Sequence, residues 1–228
     1  MNRIWLTLLL LPALLHAAEP RLAETRASYL LERGALTLGT ADFNLTHTAQ
    51  DCYRYEYIAR PQGIAKLFIG NIREVSDFCM VGGRIQPQRF SFSRADRAKD
   101  NYVLEFDLDR GEARTDRGQV QRFEGYALDR LVLQLAVQQW VLARDGEPGP
   151  EEFSVTKVED DRIKTYRFRI MARETLLQGG AEVPTVRVER TDDPKKSVKF
   201  WLDPARDYLA VRVEQTKGGD TQFRMVLQ

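Results

Sequence analysis

The amino-acid sequence predicts a mainly β fold in which one large curved antiparallel sheet, a half-barrel, wraps one long buried helix. Most of the chain alternates apolar and polar residues with a period of two, as at 101–108, which is typical of half-buried strands. Glycine pairs such as Gly82-Gly83 separate these runs in the manner of hairpin turns. A single stretch, 128–143, has the spacing of a helix instead.

The N-terminus predicts a secretory signal peptide over residues 1–18. A short basic start precedes an apolar run at 4–15, and the small residues Ala17 and Ala18 close it. A run of roughly a dozen residues is too short to cross about 30 Å of hydrocarbon as a helix. We therefore expect cleavage near Ala17 or Ala18, a periplasmic location and a single mature domain, 19–228. A buried N-terminal helix and an uncleaved anchor are the alternatives.

The charge of the mature chain argues against a nucleic-acid partner. Loss of Arg3 with the signal peptide lowers Lys plus Arg from 34 to 33, which equals the 33 Asp and Glu residues. Nucleic-acid binding and electrostatic docking on anionic lipid both need a basic surface. No later stretch reaches transmembrane length, so we expect a soluble mature chain without a transmembrane segment.

Strand patterns precede and follow the helical stretch, and a short apolar connection occupies 63–70. Those before the helix are at 28–33, 41–48, 52–59, 74–81, a run through Phe90 and Phe92, 101–108, 112–116 and 119–123. Those after it are at 153–158, 162–171, 181–190, 198–202, 208–215 and 221–227. A flat sheet of this size would leave edges and one apolar face exposed, so we expect the sheet to curl.

The helical stretch is apolar over most of its circumference, which predicts burial on more than one side. Its polar positions, Arg130, Gln134 and Gln138, form a narrow stripe at a spacing of four. Asp129 or a residue before it is suited to cap the start, and Gly146 suits the end. The Pro148–Pro150 segment that follows leaves a two-domain division open, although each half alone has too little to cover its apolar side.

Cys52 and Cys79 predict a disulfide, because an even pair of cysteines in an oxidising compartment is normally bridged. The two residues lie in strand-like runs that bring them close together if the runs pair antiparallel. Two free buried thiols and a metal site are the alternatives. A zinc site needs four ligands at short spacings, and the mature chain has one histidine, His47, so we expect no metal.

A stripe of aromatic residues predicts either an apolar ligand cavity or ordinary core packing. Its members are Tyr53, Tyr55, Tyr57, Phe90, Phe92, Phe106, Trp140 and Trp201. Sequence motifs that would indicate catalysis are weaker than this aromatic stripe. The sequence has no glycine-rich phosphate loop, His47 lies between two threonines without a recognisable relay, and no carboxylate pair stands out. We expect no catalytic residues, no cofactor and no metal.

Several short motifs carry a resemblance to one bacterial family. They are YLLERG at 29–34, LGTA at 38–41, PQGIA at 61–65, VGGRIQP at 81–87, LDRL at 128–131, FWL at 200–202 and YLAVRV at 208–213. Residues 27–228 thus resemble a family of exported proteins, domain of unknown function three-one-zero-eight, although Ala210 replaces its usual proline. The resemblance implies export and a curved half-barrel similar to periplasmic lipoprotein carriers, and it implies no catalytic residues.

Three functional hypotheses follow from these features. The first is a non-enzymatic periplasmic binding or carrier domain for an apolar or lipidic ligand of the cell envelope. It rests on aromatic strands around an apolar helix and on analogy with half-barrels that hold acyl chains. The second is an envelope interaction or scaffold protein that uses sheet edges or loops. The third is a hydrolase that uses carboxylates.

Overall fold

The structure, a computed structural model, describes residues 22–67 and 70–228. The predicted signal peptide, 1–18, and both predicted cleavage points lie outside the described residues. The described part of the chain forms one sheet of 15 strands and one α-helix, with three short 3₁₀ turns. It has the predicted mainly β class.

The strands and the helix are numbered in chain order. They are β1 Thr25–Arg33, β2 Leu36–Ala49, β3 Cys52–Pro61, β4 Ile72–Val81, β5 Arg84–Arg94, β6 Tyr102–Asp107, β7 Glu112–Thr115, β8 Val120–Arg122, β9 Ala127–Leu128, α1 Val132–Leu142, β10 Glu152–Val158, β11 Ile163–Gln178, β12 Ala181–Arg190, β13 Lys196–Asp203, β14 Leu209–Lys217 and β15 Asp220–Leu227. The 3₁₀ turns are Gly63–Leu67, Ala98–Asp100 and Pro204–Arg206.

The sheet is a large open curved layer in which neighbours in the chain are mostly neighbours in space. Its order is β8-β7-β6-β5-β4-β3-β2-β1-β15-β14-β13-β12-β11-β10-β9. Each pair is antiparallel except β9 and β10, which run parallel. The predicted break at Pro148–Pro150 does not divide the sheet, because β9 before it pairs with β10 after it. The predicted curved antiparallel sheet around a helix is confirmed.

Antiparallel pairing gives the sheet two ends, which we call upper and lower. The upper end carries the turns that follow β1, β10, β12 and β14 and the connection that follows β3. The lower end carries the turns that follow β2, β4 and β11. Cys52 and Cys79 are register partners on β3 and β4 near the lower end, and they form the expected disulfide. The bridge therefore ties two neighbouring strands at the end opposite the β1–β2 turn.

The helix begins at Val132, later than the predicted start at residue 128. Leu128 belongs instead to β9, where it pairs with Lys157. Asp129 then turns the chain: its Oδ1 accepts hydrogen bonds from the amides of Leu131 at 2.8 Å and Val132 at 3.1 Å. Two amides at a helix start that have no partner within the helix are satisfied in this way. The apolar pattern starts earlier than the helix because β9 is buried too.

From its start near the upper end, α1 runs down the concave side of the sheet. Val137 and Val141 have no exposed surface, and Gln138 donates from Nε2 to the carbonyl of Asp207 at 2.8 Å. Gly146 ends the helical segment with φ +65°, and its amide donates to the carbonyl of Val141 at 2.9 Å. A Cβ there would lie 2.7 Å from a methyl of Val186, so the close approach also requires glycine.

Near the upper end, side chains at the β8 edge of the sheet reach the turn after β10, the strand that pairs with the other edge strand, β9. Nη1 of Arg117 lies 2.8 Å from Oδ2 of Asp160, and Nε2 of Gln121 donates to the Asp160 carbonyl at 2.9 Å. These contacts connect the turn after β7 and the strand β8 with the turn after β10. We call this joint the seam.

Candidate functional site

A cavity of about 660 Å³ lies between the concave face of the sheet and the start of α1. From the helix segment it is lined by Arg130, Leu131, Leu133 and Gln134, which belong to the first turns of α1 and the residues before it. The strand positions that line it lie toward the upper ends of their strands, as Lys217 does at the end of β14. The cavity is therefore the part of the half-barrel that the helix does not fill.

Apolar side chains make most of the cavity wall, and the period of two puts them there. On β13, Val198 and Phe200 line the cavity, while Trp201 packs on the outer face. On β11, Tyr166 and Phe168 line it in the same alternating way. Further apolar lining residues come from the strands around β1: Leu31, Leu38, Phe43, Ile72, Phe223 and Met225. A wall of this kind is complementary to hydrocarbon.

An ion pair between a buried carboxylate and an exposed guanidinium lies where the cavity meets the helix start. Glu74 on β4 is 3% exposed, and its Oε1 lies 2.8 Å from Nη2 of Arg130. Burial raises the pKa of the Glu74 carboxyl to about 6, against the opposing effect of the Arg130 charge. Removing Arg130 would leave the Glu74 charge buried without compensation.

Asp129 is fully buried beside this pair and has a structural role. Its Oδ2 accepts a hydrogen bond of 2.6 Å from the Ser76 hydroxyl, in addition to the two amides of the helix start. Burial raises the pKa of Asp129 to about 6, and these hydrogen bonds act in the opposite direction. Its lone pairs are engaged in holding the helix, so the group is not presented to the cavity.

A second group of charges lies on the opposite wall, around the ring of Tyr166. Nζ of Lys157 is 4.9 Å from the ring centroid, and the guanidinium of Arg190 is 4.7 Å from it. Lys157 pairs with Oε2 of Glu159 at 2.9 Å, and Arg162 reaches the same oxygen at 2.7 Å. Burial opposes ionisation of Glu159, but these hydrogen bonds and charges leave its pKa below the usual value.

Comparison with known proteins gives the same fold. Residues 27–228 match the family described as "Protein of unknown function (DUF3108)". The chain belongs to this family. It is also similar to the crystal structure of a beta-barrel-like protein of domain of unknown function DUF1849 from Brucella abortus, with a TM-score of 0.56 and 12% identity over 92% of this chain and 97% of that chain. No curated protein matches it.

The aromatic residues that the sequence singled out occupy several environments in the DUF3108 fold. Tyr57 lines the cavity. Tyr55 lies beside a smaller space of about 20 Å³, and its hydroxyl accepts a hydrogen bond from Gln134 at 3.2 Å. Tyr53 and Phe90 belong to the filled core, with at most 1% of their surface exposed. Packed against that same core and partly buried are Phe92, Phe106 and Trp140.

Trp201 lies on the outer face of the sheet, away from the cavity, in contrast to the expectation. It packs with Leu176 and Val211, and its Nε1 donates to Oε1 of Glu174 at 2.7 Å. Plain alternation along β13 is the reason: Val198 and Phe200 face the cavity, and Trp201 directly follows Phe200, so it faces outward. The expectation grouped the tryptophan with the other aromatic residues and did not follow the period of two along this strand.

The sequence reasoning missed the aromatic residues of the cavity wall outside β3 and all of its charged residues. Phe43, Tyr166, Phe168, Phe200 and Phe223 line the cavity. The sequence did contain a signal for these aromatic residues, because each stands at an apolar position of an alternating strand. The charged lining residues gave no such signal, since an isolated charge in a strand usually marks a solvated position.

His47 is exposed at the lower end of β2, with its Nε2 against the carbonyl of Gln50 and its ring 5.3 Å from that of Tyr53. Over residues 22–67 and 70–228, no three His, Cys, Asp or Glu side chains are grouped as a metal site would require. In the same part of the chain, no helix has the length and apolarity needed to cross a membrane.

Proposed function

We propose that this DUF3108 protein is a non-enzymatic binding or carrier domain that holds an apolar or lipidic ligand in the cavity. The observation that carries the proposal is an apolar cavity of about 660 Å³ between sheet and helix. Ligand sites are typically concave, mostly apolar and on the order of 300–1,000 Å³. Each buried methylene contributes about 0.8 kcal/mol, so about ten of them would favour binding by about 8 kcal/mol before the costs of association.

The arrangement of the carboxylates favours binding over hydrolysis. Glu74 is held by Arg130, Glu159 is held by Lys157 and Arg162, and Asp129 fixes the start of the helix. A carboxylate hydrolase needs one group free to donate a proton and another free to accept one or to attack. Each acid here already has a cationic or hydrogen-bonding partner.

A direct test combines native mass spectrometry with a cavity-filling variant. Gently purified protein should carry lipid, and delipidated protein should bind a fluorescent fatty acid. Val198→Trp puts a large side chain on the cavity wall and should weaken probe binding by about tenfold or more, equivalent to about 1.4 kcal/mol. Val183→Trp is the matched control, because Val183 packs on the outer face.

Two results would overturn the proposal. One is a protein that is always free of lipid and never binds the probe. The other is a Val198→Trp variant that folds and binds the probe as tightly as the wild type.

We also propose that the protein works in the periplasm. The predicted signal peptide and the Cys52–Cys79 bridge support this location, because disulfides persist in oxidising compartments. Fractionation of cells, with mass spectrometry of the recovered protein under non-reducing conditions, tests it. We expect a periplasmic chain that has lost about 18 residues and contains no free thiol. A cytoplasmic chain with two thiols would contradict the proposal.

A further inference from the structure

The charged residues that line the cavity are mostly cations. They are Arg130, Lys157, Arg190, Lys196 and Lys217, against the carboxylates of Glu74 and Glu159. This excess contrasts with the balanced charge of the whole chain. It indicates that the cavity is suited to an anion.

Three of these cations already have partners. Arg130 pairs with Glu74 at 2.8 Å, and Lys157 pairs with Glu159 at 2.9 Å. Arg190 is 8% exposed and places its Nε 3.1 Å from Oδ1 of Asp192, which is not a lining residue. Among the residues that the structure describes, the other two lining cations, Lys196 and Lys217, have no ion-pair partner, and both are exposed at the upper end of the cavity.

Lys196 and Lys217 face each other across neighbouring strands. They are register partners at the upper ends of β13 and β14. Like charges directly opposite each other in a sheet are destabilising. Asp220 is the register partner of Lys217 on β15. Within the described residues, however, neither lysine has a carboxylate within ion-pair distance.

The wall around these lysines is polar, and the wall deeper in is apolar. Ser197, Gln215, Thr216 and Gln222 line the cavity beside them near the upper end. Along β13 the next inward positions after Lys196 are Val198 and Phe200, which lead toward the helix. The cavity thus has one cationic, hydrogen-bonding end and one hydrocarbon end.

We infer that the ligand is an amphiphile with an anionic oxygen head group, a carboxylate or a phosphate, held between Lys196 and Lys217. Its chain extends along Val198 and Phe200 toward the start of α1. This inference rests on the proposed function and specifies its ligand class. The anion offsets the repulsion between the two lysines, and it forms with each ammonium a hydrogen-bonded ion pair that a neutral head group cannot form.

A set of probes with one chain and different head groups tests the inference. Isothermal titration calorimetry would compare dodecanoate, dodecyl phosphate, dodecanol and dodecyltrimethylammonium with delipidated protein. The wild type should bind the two anions about tenfold more tightly than dodecanol, and the cation most weakly. The preference for anions should weaken as salt is added. Whichever anion binds more tightly distinguishes a fatty acid from a phospholipid-type source.

A double variant assigns the effect to the two lysines. Lys196→Gln with Lys217→Gln should abolish the preference for the anions and leave dodecanol binding within about twofold of the wild type. Lys199→Gln is the matched control, because Lys199 lies on the outer face of β13 beside Glu189 at 3.7 Å and should keep the preference.

The outcomes separate the two proposals. If no dodecyl probe binds, the binding function itself fails, and the head-group assignment fails with it. If dodecanol binds as tightly as dodecanoate, the function stands and the assignment of an anionic head group is wrong. If the double variant keeps the preference for anions, the assignment to these two lysines is wrong.

Discussion

In the lower half of the molecule the strands pack directly on α1, whereas in the upper half the same strands face open space. Tyr53, Phe78 and Ile85 near the lower end each have about 1% of their surface exposed. Near the upper end, Val198 and Phe223 line the cavity. Both halves share one alternating pattern, so the pattern does not separate core from cavity wall. The difference is set by where Asp129 starts the helix.

Truncation of a large side chain should show the largest contrast between the two halves. Phe78→Ala would leave a cavity in the filled core and should lower the free energy of unfolding by about 3–5 kcal/mol. Phe223→Ala enlarges an existing cavity and should cost about 1 kcal/mol or less, because the side chain loses fewer contacts. Urea denaturation of both variants measures this, and equal losses would contradict a hollow upper half.

Loss of the disulfide should weaken the lower half next most strongly. Cys52 and Cys79 are separated by 27 positions, and a loop of that length gives about 3.5 kcal/mol of stabilisation through the unfolded chain. The double substitution to alanine should lower the free energy of unfolding, measured by urea denaturation, by that amount. It should leave binding of a dodecyl probe unchanged at low temperature, since the bridge is at the end away from the cavity. A loss of binding in a folded variant would show that the disulfide in the lower half affects the cavity in the upper half.

Enlargement of a side chain should also distinguish the two halves, because added atoms strain the filled lower half but fit into the cavity of the upper half. Val137→Phe adds atoms to a position of α1 with no exposed surface and should cost about 1–3 kcal/mol. Val198→Phe adds them to the cavity wall and should change the free energy of unfolding by about 0.5 kcal/mol or less. Thermal denaturation measures both variants, and a large loss for Val198→Phe would mean that the upper half is already filled.

The smallest expected effect concerns pH and the buried carboxyl of Glu74. Its pKa is about 6 in the folded protein and higher than in the unfolded chain, so the folded state gains a proton as the pH falls through 6. The wild type therefore gains stability relative to Glu74→Gln as the pH falls from about 6.5 to 4.5, by on the order of 1 kcal/mol. Chemical denaturation of both proteins across this window measures the difference. A constant difference would mean that Glu74 has an ordinary pKa.

Local signals in the sequence were sufficient for the fold and for the disulfide. Alternation and glycine turns located the strands, and hairpin pairing brought Cys52 opposite Cys79. The start of α1 was predicted four residues early, because buried Leu128 in β9 continues the apolar pattern of the helix. The Trp201 side chain was expected in the cavity, but it directly follows the inward-facing Phe200, so the period of two itself places it on the outer face.

The polar part of the candidate site could not be predicted in the same way. Arg130 and Glu74 are 56 positions apart in the chain, and they meet only because β4 and the start of α1 converge at the upper end. Lys196 and Lys217 look like ordinary solvated residues until the pairing of β13 and β14 sets them opposite each other. Contacts between distant residues depend on the curvature of the whole sheet, which single-strand patterns do not encode.

The seam gives the wall of the half-barrel one joint of a different kind. Everywhere else around the circumference, ladders of backbone hydrogen bonds hold neighbouring strands together. At the seam the joint includes the exposed pair of Arg117 with Asp160 and the hydrogen bond from Gln121. An exposed ion pair contributes about 1 kcal/mol or less, far below the strength of a strand ladder. We therefore expect any widening of the upper end of the half-barrel to occur at the seam, while the strand ladders elsewhere keep their register.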